Sequence, residues 1–371
     1  MLKFLFIHLK KIDWILIGIV FLIISFGLLS IYSSSIGRGD FSNFYKQIIF
    51  LGIGFLLMII VSFFDWRLLK NDSYLILILY FVGFLSIFGL FFFAPEIRGI
   101  RGWYRIGPIS IDPVQFVKII LIILLAKYFS TRHIEMYRPH HIFLSGFYVF
   151  LPAVLIFFQP NFGPVLILFL MWLGILIVSG IKLRHFLILL FCGILIFIFS
   201  WHFLLLNYQK ERIITFIAPY LADPLGAGWQ RTQAQIAIGA GGFWGQGIGQ
   251  GSQTQYGFLP EPQTDFIFAS IAEEFGLVGV SILFLFFLIL IFRIIKISIL
   301  TQTNFSRLFV LGFAIFLIVQ VFIHIGMNLG LLPIIGLSLP LVSYGGSSLI
   351  AIFLGLGIIQ SIKIYSHKSI I

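Results

Sequence analysis

Apolar runs of about 18 to 22 residues recur from one end of this chain to the other, Tyr74 to Phe93 among them, with short polar stretches between. As a helix rising 1.5 Å per residue, a run of that length crosses roughly 30 Å of hydrocarbon. None of the runs alternates apolar and polar positions, which excludes a transmembrane β-barrel. With 60% hydrophobic and only 10% charged residues there are too few charges to solvate a soluble surface. The mean hydropathy of +1.11 agrees. The fold class is an all-α polytopic membrane protein.

Ten spans can be read: Trp14 to Tyr32, Gln47 to Phe64, Tyr74 to Phe93, Val114 to Phe129, Ile142 to Phe158, Gly163 to Ile181, Phe186 to Leu206, Phe275 to Phe292, Leu308 to Met327 and Ser347 to Ile362. The first run, followed by SerSerSer at 33–35, is longer than the core of a cleaved signal and reads as a retained span. An even number of spans puts both termini on one side. With that side cytoplasmic, inner segments carry fifteen Lys and Arg, against five in the short outer loops (Arg38, Lys46, Arg98, Arg101 and Arg105). The expectation is a single integral membrane domain over 1–371, with a large extracytoplasmic loop, 207–264, between helices 7 and 8. That loop combines glycine-rich stretches with apolar ones such as Ile213 to Leu221, a composition suited to short helices on the membrane surface. The net charge of +11 sits at membrane edges and does not imply nucleic acid. Cys192, the only cysteine, can form no intrachain disulfide.

Charges inside spans are costly and by default functional. Lys118 lies about one turn into the fourth span, with Gln115 three residues earlier on the same helical face. Glu273 and Glu274 fall where the eighth span begins. From Asp265 to Phe292 a continuous helix would run about 42 Å, longer than one bilayer core, so it is expected to project outward with Glu274 near the interface and Asp265 beyond it or in a wet cavity. Asp265 marks the change from polar loop to apolar helix and is read as a helix cap or a base. His324 reads as a packed histidine, and no cluster has zinc spacing. The outer side gathers Arg98, Arg101, Arg105, Lys118, Lys210, Arg212 and Arg231 around few acids, an arrangement suited to a diphosphate.

The stretches GWQRTQAQIAIGAGGFWGQGIGQGSQTQYGFLPEPQTDFIFASIAEEFGLVG and GMNLGLLPIIGLSLPLVSYGGSSLI resemble the SEDS proteins of bacterial cell-wall synthesis, named for shape, elongation, division and sporulation. DPLGAGWQ at 223–230 and GSQTQYGFLPE at 251–261 look most like the elongation, or rod-shape, branch. The resemblance implies a peptidoglycan glycosyltransferase of the bacterial cytoplasmic (inner) membrane. Such an enzyme polymerises lipid II into β-1,4-linked strands on the outer face and releases undecaprenyl diphosphate. It also implies a class B penicillin-binding protein as partner, with other elongation-complex proteins. The essential aspartate of the family falls on Asp265, its motif lysine on Lys118, and its YQxxR stretch on Tyr208, Gln209 and Arg212. Four positions depart from the family pattern: Gln115 and Asn161 stand where carboxylates are usual, Gly102 replaces an arginine before Trp103, and Gln263 replaces a histidine.

The expected site therefore has Asp265 as catalytic base and Lys118, Gln115, Arg101, Arg105, Gln209, Arg212 and Asn161 as substrate-binding residues. A divalent cation, Mg or Mn, would suit the leaving diphosphate, with no ligands assigned. Two other readings fit parts of the sequence. One is a lipid II flippase or transporter, from the intramembrane Lys118 and the breaks at 159–163 and 330–346. The other is a non-catalytic scaffold for the penicillin-binding protein, from the carboxylates missing at 115 and 161.

Overall fold

The computed structural model describes residues 8–96, 99–107, 109–132, 139–218 and 226–366. Arg98 and residues 223–225 of the 223–230 motif lie outside them. Fourteen main elements of the described residues follow in order: α1 (Trp14–Arg38), α2 (Ser42–Phe63), α3 (Ser73–Phe93), the antiparallel hairpin β1 (Tyr104–Ile106) and β2 (Ile109–Ile111), α4 (Pro113–Arg132), α5 (Pro139–Phe158), α6 (Phe162–Val178), α7 (Leu183–Phe203), α8 (Asn207–Ile217), α9 (Ala227–Gly241), α10 (Ile267–Leu300), α11 (Asn304–Asn328) and α12 (Gly346–Ser366).

Among the described residues nine helices are long and apolar enough to cross a membrane, and α6 adds a shorter apolar one of 17 residues. All ten overlay the spans read from the sequence. Their ends are set locally. Asp13 accepts the Leu16 N–H at the start of α1, Asp72 accepts those of Tyr74 and Leu75 at the start of α3, and Thr303 accepts that of Ser306 at the start of α11. Gly39 closes α1 in the left-handed region at φ 66°.

The packed centre is formed by α4, α11 and α12, with α1, α2, α6 and α10 around it. At the periphery α7 has no fully buried residue, as expected of a helix surrounded by lipid. Residues 33–35 are not a break after the first span. They are helical and buried, and they bond to the segments that follow α9.

One expectation is overturned. The helix beginning near Asp265 is not continuous. Gly276 interrupts α10 at φ 63°, ψ −166°, a conformation open essentially to glycine alone. The chain after α9 fills the break. Leu277 and Val278 N–H donate to the Gly242 and Phe243 carbonyls at 3.0 and 3.2 Å, and the Glu273 and Glu274 carbonyls accept from Gln246 and Gly247 N–H at 2.9 and 3.0 Å. Four backbone groups that the break would leave unsatisfied are thereby paired. Glu273 and Glu274, beside the break, are buried inside the protein.

This joint leaves no room for a side chain. A Cβ on Gly276 would stand 2.3 Å from the Gly245 nitrogen, whereas one on Gly239, in exposed α9, would meet nothing within 4 Å. Gly276→Ala is expected to lower stability in detergent by about 1–3 kcal/mol from backbone strain alone, with the clash added. Gly239→Ala should be neutral or stabilise by about 0.5–1 kcal/mol. Denaturant titration of the two variants checks the contrast, and equal midpoints would show that the break tolerates a side chain.

Candidate functional site

Between α11 and α12 the chain at 329–345 is neither helix nor strand, yet most of it is not exposed. Irregular backbone is tolerated at membrane depth only where the protein satisfies its polar groups. Side chains from four helices do so. The Gly330 carbonyl accepts from Arg231 on α9 at 3.3 Å, and that of Ile334 from Arg212 on α8 at 3.2 Å. On α11, His324 donates through Nδ1 to the Leu337 carbonyl at 2.7 Å and Gln320 to that of Ser338 at 2.9 Å. Gln47 on α2 donates to the Ser343 carbonyl at 3.3 Å and accepts the Gly345 N–H at 3.2 Å. His324 is thus the packed, hydrogen-bonded histidine expected.

Asp265 rests against this segment. The Ser343 hydroxyl donates to the Thr264 carbonyl at 2.8 Å and the Tyr344 N–H to the Gln263 carbonyl at 2.8 Å. On the other side Asn328 donates from Nδ2 to the Asp265 carbonyl at 3.0 Å and accepts the Ala269 N–H at 3.2 Å. Gln263, buried, donates to Ser34 and Ser35 and accepts from Asn43 at 2.7 Å. The backbone on both sides of Asp265 is therefore fixed. Its side chain is half-exposed, and its Oδ2 lies 3.5 Å from where Gly336 would carry a Cβ. Gly336, at φ 68°, gives the carboxylate that open side. Asp265 does not cap α10; Phe266 holds the cap position, with no side-chain bond.

The cations divide. Arg212 sits over the Tyr208 ring, 5.8 Å to its centroid, and lines a small crevice with Arg231, Thr215 and the turn 332–334. Arg231, which the sequence marked only as an outer cation, therefore shares a wall with Arg212. Its Nε is buried without a partner among the described residues, although its terminal nitrogens bind the Thr215 and Gly330 carbonyls. Arg101 is committed elsewhere, paired with Glu96 at 3.3 Å and with the Phe91 carbonyl at 3.2 Å on the exposed rim. Arg105 is exposed on β1 opposite Ser110. Gln209 folds back onto the Leu206 N–H at 3.0 Å, closing the first turn of α8, and donates to the Tyr208 hydroxyl. Asn161 stands at the N-cap of α6 without a side-chain cap bond. Its Nδ2 is 3.7 Å from the Cβ position of Gly102, so those two departures are neighbours.

Lys118 is 1% exposed. Its Nζ donates to Gln115 Oε1 at 2.9 Å, and Gln115 Nε2 donates to Asp112 Oδ2 at 2.7 Å, while the ammonium lies 5.6 Å from the Phe316 ring centroid. Of the partners open to it, the lysine takes Asp112 through the amide, not Asp265. Asp112 also caps α4 by accepting the Val114 N–H, and its own N–H donates to Ser347 beyond the irregular segment. Burial pushes the Asp112 carboxyl above the ordinary carboxylate range, against the pull of Gln115, Lys118 and Val114. Among the described residues no three His, Cys, Asp or Glu converge as a metal set.

A family model described as "Cell cycle protein", covering FtsW, RodA and SpoVE, matches residues 13–368. Stage V sporulation protein E of Bacillus subtilis is 33% identical over 96% of this chain and 98% of its own length. Peptidoglycan glycosyltransferase MrdB of Escherichia coli K12 is 37% identical over 79% of this chain and 78% of its own. Among solved structures, a chain described under "Structural coordination of polymerization and crosslinking by a peptidoglycan synthase complex" superposes with a TM-score of 0.81. It is 31% identical, covering 96% of this chain and 99% of that one.

The bridge at position 115 can be tested by itself. Gln115→Leu strips a buried ammonium of its hydrogen-bond acceptor and should cost about 1.5–3 kcal/mol of stability in detergent. Gln115→Glu, which can still accept from Lys118, should recover most of it. A Leu variant as stable as the parent would mean that Lys118 does not depend on the amide.

Proposed function

This chain belongs to the FtsW, RodA and SpoVE family and is a peptidoglycan glycosyltransferase of the multi-pass membrane kind; from that premise we propose that it polymerises lipid II with Asp265 as the base. The observation carrying the reading is convergence on one irregular segment. Asp265 meets it at Gly336, Arg212 at Ile334 and Arg231 at Gly330. A carboxylate and two guanidinium groups that border one turn suit a reaction in which a hydroxyl loses its proton while a diphosphate departs.

In the proposed step the 4-hydroxyl of the GlcNAc on an incoming lipid II attacks the anomeric carbon of the MurNAc that ends the growing strand. Asp265 takes the hydroxyl proton as the new C–O bond forms. The bond from the anomeric carbon to the diphosphate breaks, and undecaprenyl diphosphate leaves with the electron pair. Inversion gives the β-1,4 link. Arg212, Arg231 and Lys118 offset the charge that builds on the leaving oxygens. The open side at Gly336 gives the acceptor room to reach the base. Arg105 and Asn161, nearer the rim, are proposed to contact the sugars or the peptide.

The charge bias favours both termini in the cytoplasm and Asp265 on the outer face. GSQTQYGFLPE favours an elongation role over division or sporulation, and a class B penicillin-binding protein is the proposed partner, cross-linking what this chain polymerises. The deciding experiment gives labelled lipid II to the purified protein with that partner. Asp265→Asn keeps shape and removes the base, and it should lower the polymerisation rate by roughly 10²- to 10⁴-fold. Undiminished polymer from this variant would remove Asp265 from the chemistry, and lipid II crossing liposomes without polymer would favour the flippase.

A further inference from the structure

At the end of the bundle opposite Asp265, where α1 begins and α10 and α12 finish, cations gather around one carboxylate. Asp13, buried at 2% exposure, accepts from Arg293 Nε at 2.9 Å and from Lys363 Nζ at 3.0 Å. Its backbone is clasped by Gln360, which accepts the Asp13 N–H at 2.9 Å. Burial alone would raise the Asp13 carboxyl, but these partners hold it below its ordinary range. Asp13 is therefore ionised and fully engaged.

The cations are not. Arg293 spends only Nε on Asp13, and its terminal nitrogens make no hydrogen bond to the described residues. Lys296, one turn further along α10, has no carboxylate within ion-pair distance among them. All four side chains line a cavity of about 160 Å³, with Ile297 and Leu300 as its apolar wall. That is some ten times the roughly 10–15 Å³ one ordered water needs. Three cations against one carboxylate leave the cavity at net +2. A charge-bias role in topology requires cations on this side of the membrane, but it does not require them to enclose a cavity with unused donors pointing into it.

We propose that this cavity binds the phosphodiester headgroup of an anionic phospholipid, with Arg293, Lys296 and Lys363 on the phosphate oxygens and Ile297 and Leu300 against the start of the acyl chains. A guanidinium whose two terminal nitrogens bond none of the described residues offers a fork matched to phosphate, and basic pockets between helices at a membrane edge have the chemistry to hold such headgroups. The occupant would tie the start of α1 to the ends of α10 and α12. The site is independent of the chemistry at Asp265.

The test uses the full chain in dodecyl maltoside and follows its thermal unfolding as lipid is added. Dioleoyl phosphatidylglycerol should raise the midpoint saturably, and dioleoyl phosphatidylcholine should not. Lys296→Gln, which leaves the Asp13 pairs intact and should match the parent without lipid, should weaken the response to phosphatidylglycerol at least about fivefold. Lys296→Met, keeping the apolar stem, serves equally if the Gln variant folds poorly. Equal stabilisation by phosphatidylcholine, or an unchanged response in both Lys296 variants, would overturn the site. Inorganic phosphate matching phosphatidylglycerol at the same concentration would overturn the lipid in favour of a soluble anion. No step of this test reads polymerisation, so its outcome is separate from that of Asp265→Asn.

Discussion

The structure depends on a single requirement: seventeen residues of irregular backbone, 329–345, lie within a membrane protein, and every buried polar group there needs a partner. Lipid can supply none. Gln47, Arg212, Arg231, Gln320 and His324 come from four helices to bond it. The positions of Arg212 and Arg231 are therefore consequences of folding before they are features of a site. A guanidinium that closes a backbone carbonyl is also held in place for a ligand, with its remaining donors free to serve one.

The same logic explains two buried glutamates. Glu273 accepts from the Gln253 N–H at 2.6 Å and from the Thr254 N–H and hydroxyl at 3.1 and 2.7 Å. Glu274 takes the hydroxyl of Ser33 and the Gly249 N–H. Two carboxylates in an apolar neighbourhood would be prohibitive if unpartnered. Here they hold the glycine-rich stretch 249–254 against α1 and the first part of α10. Asp265, eight residues before Glu273, is carried by a helix whose other end is pinned, so its position is over-determined from both directions.

The spans were legible because hydrocarbon thickness sets a length and length survives in composition. The break at Gly276 was not, since a lone glycine inside an apolar run is ordinary, and what makes this one a joint is Gly245 approaching from thirty residues away. The trio Asp112, Gln115 and Lys118 was half legible: a spacing of three puts neighbours on one helical face, but nothing local says that the amide bridges the other two. The meeting of Arg212 with Ile334, 122 residues apart, has no local signal at all. Arg101 shows the converse limit. Its outer position looked suited to an anion, and in the folded chain it also pairs with Glu96, five residues away on the exposed rim, a partner not read from the sequence.

Position 115 gains significance from this geometry. With Gln115 neutral, the trio has one carboxylate and one ammonium and a net charge near zero. The glutamate that the family resemblance would place there adds up to one negative charge beside Asp112. If a diphosphate approaches the outer face, that extra charge repels it: at about 10 Å and an effective dielectric near 20, the repulsion is about 1.7 kcal/mol per unit of phosphate charge. The amide gives up a carboxylate without giving up the connection, because one end donates to Asp112 and the other accepts from Lys118. What looks in sequence like the loss of an acidic residue is, in the folded chain, a relay that keeps Lys118 in place and lowers the negative charge around it.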